Sequence, residues 1–284
     1  MYCNVRNVKA KQLRDVQDAP TGFPNTWDGS TSLVGTVKTV GSSHVTTANE
    51  QLYEDGIKLL WRDMELDSTL LNRRVQEQVY KVNRHLDQLC ATTLQSGFTT
   101  GTVDNGAAGT TAAFSAGHTL NDSTTQSNLI TAALSAAALS TARQRRREWR
   151  DYNSNALGLQ DINLCLCVAP QNGDLARVLT GSQVTTVNTT VIGGSSASDV
   201  QWQSNPNAAP SVTVCENPYL AGDADDWWLC GTGDYSQCVL WVEEPDFKIF
   251  DQELDRATFL TCVYNAKCFL RPPAWDVTVG SNVA

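Results

Sequence analysis

The last quarter of the chain, residues 212–279, is a run of strand patterns joined by acidic turns. Its segments read VTVCENPYL, DDWWLCG, QCVLWVEEPDFKIF and DRATFLTCVYNAKCFLRPPAWDVTV. Each is rich in the β-branched and aromatic residues that favour buried or half-buried strands. The stretch carries no recognisable set of catalytic residues, so it favours a structural scaffold over an enzyme.

A strong helical pattern lies upstream, in residues 49–95. Apolar residues recur there at steps of three and four, which is the spacing of one helix face. They are Leu71, Val75, Val79, Val82, Leu86 and Leu89. The run Asp67, Ser68, Thr69 is typical of a helix start. We therefore predict one helix over about residues 48–65 and a longer one over about residues 69–95.

Another helix is predicted over about residues 127–149, and it ends in the basic run RQRRREWR. Helical spacing would place four of the arginines on one face, namely Arg143, Arg146, Arg147 and Arg150. Three interpretations stay open: a solvated helix end, a partner for acidic patches on another subunit, and a nucleic-acid contact. The acidic balance of the rest of the chain favours the first two.

The remaining segments complete a mixed order of elements. A loop rich in Gly, Thr and Ala spans residues 97–128, and DINLCLCVAP after the basic helix predicts a buried strand. A short helix over about residues 173–180 and a polar tract to about residue 210 follow. This order is typical of an α+β fold. Residues 1–48 cannot make a core of their own, so they are either disordered or ordered by docking on another surface. Their moderate apolar content favours docking.

Nine cysteines are spread along the chain: Cys3, Cys90, Cys165, Cys167, Cys215, Cys230, Cys238, Cys262 and Cys268. Their number is odd, they form no Cys-x-x-Cys motif, and the three histidines add no close-spaced ligand pair. A structural zinc site is therefore poorly supported. Most of the cysteines occupy apolar strand positions, where a thiol behaves as a small hydrophobic group. We expect buried, reduced thiols, as in the cytosol.

The usual catalytic motifs are missing from the sequence. There is no Gly-x-Ser-x-Gly elbow, no Walker loop and no dinucleotide-binding fingerprint. His118, in FSAGHTLND, is expected to be a structural hydrogen-bonding group. Asp223, Asp225 and Asp226 lack the spacing of a calcium-binding loop, so we interpret them as an acidic turn. We predict no catalytic, cofactor or metal site.

Composition limits the classes of partner. The formal net charge of −9 disfavours a protein that binds nucleic acid tightly by neutralising its phosphates. It permits a protein that encloses nucleic acid without binding it tightly. Charged residues make up only 18% of the 284 residues, and there are eight tryptophans, a composition that suits a surface covered by neighbours. No stretch approaches the roughly 20 apolar residues of a membrane span, and no secretory signal is recognisable, so we expect synthesis in the cytoplasm.

In their order, these segments resemble the major capsid proteins of tailed phages. The likeness is carried by FSAGHTLND, the helix LITAALSAAALSTARQ, then INLCLCVAPQNGDLARVLTGS, and the strand series of residues 212–279. It covers about residues 50–280, and its most specific parts are residues 164–179 and a closing strand at Trp275. More narrowly, the pattern is similar to the phage Mu-type major head subunit, which has the Hong Kong 97 shell fold.

The resemblance implies a division of the chain. Residues 1–25 would be an N-terminal arm, and residues 26–48 an extended β-hairpin loop that reaches a neighbouring subunit. Residues 49–126 would begin a peripheral domain, with a long spine helix over about residues 69–95. Residues 127–233 would form an axial domain, and residues 234–284 would complete the peripheral sheet.

The function implied by the resemblance is self-assembly into hexamers and pentamers of an icosahedral head that encloses double-stranded DNA. Implied partners are copies of the chain, the portal, and scaffolding or cement proteins, with no membrane and no cofactor; the virion is the expected location. Candidate contacts between subunits are Trp27, Val37, Lys38, Arg143, Arg146, Arg147, Arg150, Asp225 and Asp226. A tail-tube or surface-array subunit is the alternative, and an enzyme ranks third.

Overall fold

The structure is a computed structural model. It describes residues 4–7, 12–18, 42–49, 51–99, 103–104, 110–120, 122–151, 154–159, 163–181, 184–188, 200–204, 212–222, 225–232, 238–270 and 278–282.

Helices and strands are mixed along the chain. The α-helices are α1 (Trp61–Leu66), α2 (Leu70–Ser96), α3 (Ala136–Glu148) and α4 (Gly173–Gly181). The strands are β1 (Asn4–Asn7), β2 (Gln12–Asp18), β3 (Ser42–Asn49), β4 (Leu52–Leu60), β5 (Val103–Asp104), β6 (Thr110–Thr111), β7 (His118–Thr119), β8 (Thr125–Gln126), β9 (Leu129–Ile130), β10 (Leu164–Val168), β11 (Val184–Asn188), β12 (Val200–Ser204), β13 (Val212–Glu216), β14 (Trp227–Gly231), β15 (Cys238–Val242), β16 (Asp246–Gln252), β17 (Ala257–Leu270) and β18 (Val279–Ser281).

The first sheet is organised around the long strand β17. The N-terminal half of β17 pairs antiparallel with β4 on one side and with β16 on the other, and its C-terminal half pairs with β15. The short strand β1 adds a parallel edge next to β15. A segment of the predicted N-terminal arm is therefore part of this sheet, while β2 and β3 form a separate two-stranded hairpin.

The second sheet has the order β13, β10, β14, β18, β9. Every residue of β10 and β14 is buried, because side chains on alternate positions enter two different cores. Cys165, Cys167 and Trp228 face the core shared with α2 and the first sheet. Leu166 and Leu229 face a second core, closed by α3 and α4.

The predicted spine helix is confirmed as α2, which begins at Leu70 and ends at Ser96. Its 27 residues make it about 40 Å long. Asp67 accepts hydrogen bonds from the backbone N–H and the hydroxyl of Thr69, at 3.0 and 2.6 Å, which fixes the turn before the helix. The apolar stripe is shifted slightly from the prediction, since Val79 is exposed and Gln78 is buried instead.

The helix predicted over residues 48–65 is wrong in its larger part. Residues 52–60 form β4, and only Trp61–Leu66 is helical. The reason is tertiary, because β4 pairs with β17 over nine consecutive positions from Leu52 to Leu60. A long ladder of this kind outweighs the modest differences in helix propensity among these residues.

The basic helix starts later than predicted. Residues 127–135 are not helical; they contain β9, and α3 begins after Ser135, whose Oγ accepts a hydrogen bond from the N–H of Ala138 at 3.2 Å. A serine N-cap satisfies one of the free backbone donors of the first turn.

The closing strand also differs from expectation. The strand β18 pairs with β14 and β9, so it belongs to the second sheet and does not complete the first one. Trp275, expected at this strand, lies outside the described residues, and so does most of the predicted extended loop.

Candidate interaction surface

A hairpin tip projects where β16 turns into β17. The turn is the 3-10 segment Glu253–Asp255, closed by Arg256 in a left-handed conformation with φ of 44°. The carbonyl of Arg256 accepts a hydrogen bond from the N–H of Trp61 at 2.9 Å, and Lys58 forms a 2.7 Å ion pair with Asp255. The tip is thus joined to the end of β4 and the start of α1.

Large apolar side chains are exposed around this tip. They are Leu60, Leu66, Phe250 and Leu254, and we refer to them as the apolar tip. Leu254 is 94% exposed and Leu66 is 79% exposed. Exposed apolar clusters are uncommon on monomeric proteins and mark contact surfaces. The apolar tip was not predicted from the sequence, because its residues come from two stretches, 60–66 and 250–254, that lie far apart in the chain.

Charged and aromatic groups border the apolar tip. The rings of Phe250 and Phe259 are stacked with centroids 5.4 Å apart, and the Lys58 ammonium lies 5.5 Å from the Phe259 centroid. Glu253 and Asp255 contribute carboxylates at the same turn. A surface with an apolar centre and charges of both signs can contact another protein surface of similar character.

The four arginines of the basic run do not share one face. Arg146 is only 3% exposed, because it lies on the side of α3 that also buries Ala138, Leu139 and Ala142. Arg150 follows the helix, which ends at Glu148. Arg147 and Arg150 are exposed, and Arg143 is half-buried. The shared-face prediction is therefore wrong, and Arg146 is unavailable for contact with a neighbour.

A different arginine, Arg145, reaches a neighbouring strand. Its guanidinium donates to Ser127 Oγ at 2.9 Å and to the carbonyl of Leu129. A pocket of about 670 Å³ lies beside it. Its lining residues are Leu120, Thr124, Thr125, Gln126, Ser127, Arg145, Glu148, Trp149 and Arg150. Sequence reasoning did not single out Arg145, since nothing in the basic run separates it from its neighbours.

The two acidic candidates, Asp225 and Asp226, differ in solvent exposure. Asp225 is exposed, whereas Asp226 is only 2% exposed at the start of the buried strand β14. Asp225 therefore remains a candidate for contact with another subunit, and Asp226 does not. Trp27, Val37, Lys38 and Asp223 lie outside the described residues.

His118 belongs to a buried hydrogen-bond network. Asn128 donates from Nδ2 to the carbonyls of Ala113 and Thr278, at 2.9 and 3.1 Å. Its Oδ1 accepts from the N–H of Ser115 and from Nε2 of His118, both at 2.9 Å. Because Oδ1 can only accept, Nε2 carries the proton. Burial lowers the pKa of His118, so the imidazole is neutral and structural, as its sequence context predicts.

The cysteines differ in one respect from expectation. Cys165 and Cys215 form a disulfide between the neighbouring strands β10 and β13, where the sequence favoured reduced thiols. Cys167, Cys230 and Cys262 are buried free thiols, as expected. Within the described ranges, no three His, Cys, Asp or Glu side chains converge as a metal site would require. In that same part of the chain, every helix is too short or too polar to span a bilayer.

Comparison with protein families gives one match over most of the chain. The family described as "Phage capsid protein" matches residues 53–266. A search of curated protein sequences found no match.

Solved structures match the whole chain at low sequence identity. The mature capsid of bacteriophage PhiM1 is 11% identical, with a TM-score of 0.59, and the match covers 100% of this chain and 86% of that one. The capsid of an empty GTA particle is 11% identical, with a TM-score of 0.59, and the match covers 100% of this chain and 88% of that one. The holo-SrpI encapsulin complex from Synechococcus elongatus is 10% identical, with a TM-score of 0.55, and the match covers 99% of this chain and 84% of that one. These likenesses show a common fold, the Hong Kong 97 shell fold.

Proposed function

This chain belongs to the phage capsid protein family, and from that premise we propose that it assembles into the hexamers and pentamers of an icosahedral phage head. The family and the fold are those of structural shell proteins. The narrower resemblance to the phage Mu-type subunit stays a prediction.

The apolar tip is the observation that carries the proposal. It exposes Leu254 on the β16–β17 hairpin and Leu66 at the end of α1, and a hydrogen bond from the Trp61 N–H to the Arg256 carbonyl joins the two elements. Burying these side chains against another copy would remove apolar surface from water. Many such contacts of modest strength, repeated by symmetry, can close a shell.

Other proposed contacts come from the charged candidates. The exposed arginines Arg147 and Arg150, with half-buried Arg143, can meet acidic side chains such as Asp225 on a neighbouring subunit. Contacts through Trp27, Val37 and Lys38, and the division into arm, extended loop, peripheral and axial domains, remain part of this proposal. So do the portal and the scaffolding or cement proteins as partners.

We further propose that the shell encloses double-stranded DNA and is located in the virion, after synthesis in the host cytoplasm. The net charge of −9 supports enclosure without tight binding, because a strongly basic lining would hold the phosphates. The similar encapsulin complex is not described as a phage capsid, so the contents of a particle built from this chain need a separate test.

Electron microscopy of the expressed chain tests the assembly proposal. Negative-stain images and size-exclusion chromatography are expected to show capsomers or closed spherical particles. A homogeneous monomer under all conditions of salt, pH and concentration would overturn it, and open tubes or flat sheets would favour a tail-tube or surface-array subunit. Nuclease treatment of particles from infected cells tests DNA enclosure, which predicts protected genome-length DNA.

A further inference from the structure

Strand β4 is an edge of the first sheet. It pairs with β17 along its whole length and with no other strand in the ranges that the structure describes. The backbone N–H and C=O groups on its outer side therefore have no partner strand there. Side chains at odd positions of β4 face α2, as the ring of Tyr53 shows by its contact with His85, with centroids 4.3 Å apart. An open edge of nine residues can accept another strand by backbone hydrogen bonding.

The other face of β4 is complementary to itself in the antiparallel direction. Its residues are all exposed and are, in order, Leu52, Glu54, Gly56, Lys58 and Leu60. In an antiparallel pair of two such strands centred on Gly56, Leu52 would lie opposite Leu60 of the second copy. Glu54 would lie opposite Lys58 of the second copy. Each of these pairs would occur twice, because the arrangement is symmetric.

We propose that β4 pairs with β4 of a second copy across a two-fold axis centred on Gly56. The two leucine contacts would bury the side chains of Leu52 and Leu60, which are 63% and 46% exposed. The two pairs of opposite charge would favour this register. Glu54 forms no ion pair within the described ranges. The Lys58 ammonium contacts Asp255 at 2.7 Å and has further N–H donors for a second carboxylate.

Neighbouring registers are less favourable. A pairing centred on Asp55 would place the Asp55 carboxylates of the two copies opposite each other, which is repulsive. A pairing centred on Ile57 would place Glu54 opposite Leu60. Of these three centres, only Gly56 matches leucine with leucine and each charge with its opposite on the exposed face.

Gly56 is a second observation that points to this pairing. Glycine in the middle of a strand costs stability, and it often marks a place where another backbone approaches closely. Packing within the chain does not require it, because a Cβ at this position would lie 3.9 Å from Cγ2 of Thr261, an ordinary contact. The lack of a side chain at the centre of the proposed pair fits the close approach of the second copy's backbone.

The position of α2 leaves room for the second copy. Nε2 of Gln78 on α2 donates to the carbonyl of Leu260 at 3.4 Å, so the helix lies over β17, one strand inside the edge. Pairing through β4 would place the two β17 strands three strand spacings apart, about 14 Å. The two α2 helices would then be separated by more than the roughly 8–10 Å at which packed helices touch.

The symmetry of the contact indicates its place in a shell. The pairing is isologous, because both copies contribute the same residues. Neighbours within one hexamer or pentamer meet through two different surfaces, so this contact would join two rings and not two members of one ring. That place in the shell rests on the proposed function, whereas the pairing of two copies does not.

Cysteine cross-linking tests both the pairing and its register. Opposite residues of an antiparallel pair have Cα atoms about 4.5–5.5 Å apart, a distance that a disulfide can span. Mild oxidation should therefore link two copies of Gly56→Cys, seen as a dimer band on a non-reducing gel. Leu52→Cys is the matched control and should link no more than wild type, because residue 52 would lie far from its own counterpart. Leu52→Cys co-expressed with Leu60→Cys should give the dimer band again.

A charge reversal provides a measurement that needs no added cysteine. Glu54→Lys would place a lysine opposite Lys58 on both sides of the axis. We expect the dissociation constant of the dimer, measured by analytical ultracentrifugation of the chain before assembly, to rise about tenfold. Glu244→Lys, an exposed reversal outside β4, is the matched control and should leave the constant within about twofold of wild type.

Three results would overturn the proposal. They are no Gly56→Cys link in either particles or the dissociated chain, an equal link in Leu52→Cys alone, or equal effects of Glu54→Lys and Glu244→Lys. If Gly56→Cys fails to fold, the mixture of Leu52→Cys and Leu60→Cys decides. Particles that form without these links would refute the strand pairing and leave the shell proposal standing. Linked dimers that never form particles would support the pairing and overturn the shell.

Discussion

Nδ1 of His85 on α2 lies 2.6 Å from the phenolic oxygen of Tyr264 on β17. Burial raises the pKa of Tyr264 to about 12, helped by the nearby Cys262, Tyr53 and Asp55, so the phenol keeps its proton. Burial also lowers the pKa of His85, so the imidazole is neutral and Nδ1 can accept that proton in a hydrogen bond. The contact fastens the middle of the spine helix to the first sheet.

Removing the Tyr264 hydroxyl should loosen that attachment. We expect Tyr264→Phe to lower the free energy of unfolding by about 1 kcal/mol, since the half-buried His85 acceptor loses its donor. Urea unfolding of the dissociated chain, followed by tryptophan fluorescence, measures the change. Tyr80→Phe, at an exposed position of α2, is the matched control and should stay within about 0.5 kcal/mol of wild type. Equal effects in both variants would contradict this role.

Acid sensitivity should depend on His118. Its folded pKa lies below the ordinary value of 6.5, so the folded state favours the neutral ring. That contribution to stability is complete above pH 6.5 and is lost as pH falls through 6.5 towards the folded pKa. Melting temperatures between pH 7.5 and 5.5 should therefore fall more steeply for wild type than for His118→Gln, which keeps a donor for Asn128 but does not titrate. Parallel slopes would count against this account.

Asn128 should be among the residues least tolerant of change. Asn128→Ala leaves two carbonyls, one backbone N–H and the His118 N–H without their partner in a fully buried site. We expect a loss of about 2–4 kcal/mol in the free energy of unfolding. Asn72→Ala, on the exposed side of α2, should be nearly neutral in the same urea titration. A loss below about 1 kcal/mol for Asn128→Ala would show that the network is dispensable.

The apolar tip can be tested without disturbing the fold. Leu254→Ser changes a side chain that is 94% exposed, so the melting temperature of the dissociated chain should stay within about 2 °C of wild type. Particle yield in negative-stain images should fall severalfold if the tip contacts another copy. Gln252→Ser, on the same hairpin, controls for altering the turn. Normal particles from Leu254→Ser would remove the tip from the assembly surface.

A charge exchange addresses the proposed pairing of Arg150 with Asp225. Arg150→Glu alone should reduce assembly, because two like charges would then face each other across the contact. Adding Asp225→Arg should restore at least half of the lost particles. Lys248→Glu, an exposed reversal on the first sheet, checks that the effect is not one of net charge. An additive loss in the double variant would show that the two residues do not meet.

Sequence reasoning succeeded where the pattern was local and repeated. The spine helix was predictable because its apolar residues recur over about five turns. The strands β10 and β14 were predictable because their apolar runs are unbroken. It failed at β4, where the conformation depends on pairing with β17, far away in the sequence. It also failed at the start of α3, where Ser135 is the actual cap.

The candidate surface was harder to predict than the fold. Leu60 lies opposite Ala257, just after the turn that carries Leu254, because β4 pairs with β17 at that end of the first sheet. The burial of Arg146 depends on the rotation of α3, which Leu139 and Ala142 set by entering the second core. A list of exposed arginines cannot be read from spacing alone.

The alternation of β10 gives the second sheet two unequal sides. Its side chains are small towards the spine helix, with Cys165 and Cys167, and larger towards α3, with Leu164, Leu166 and Val168. The strand separates the two hydrophobic cores. A substitution that repacks one core therefore has to keep the position of β10, because a shift of the strand would disturb the other core. Engineered insertions in this protein should therefore leave β10 unchanged and be placed in turns outside both cores.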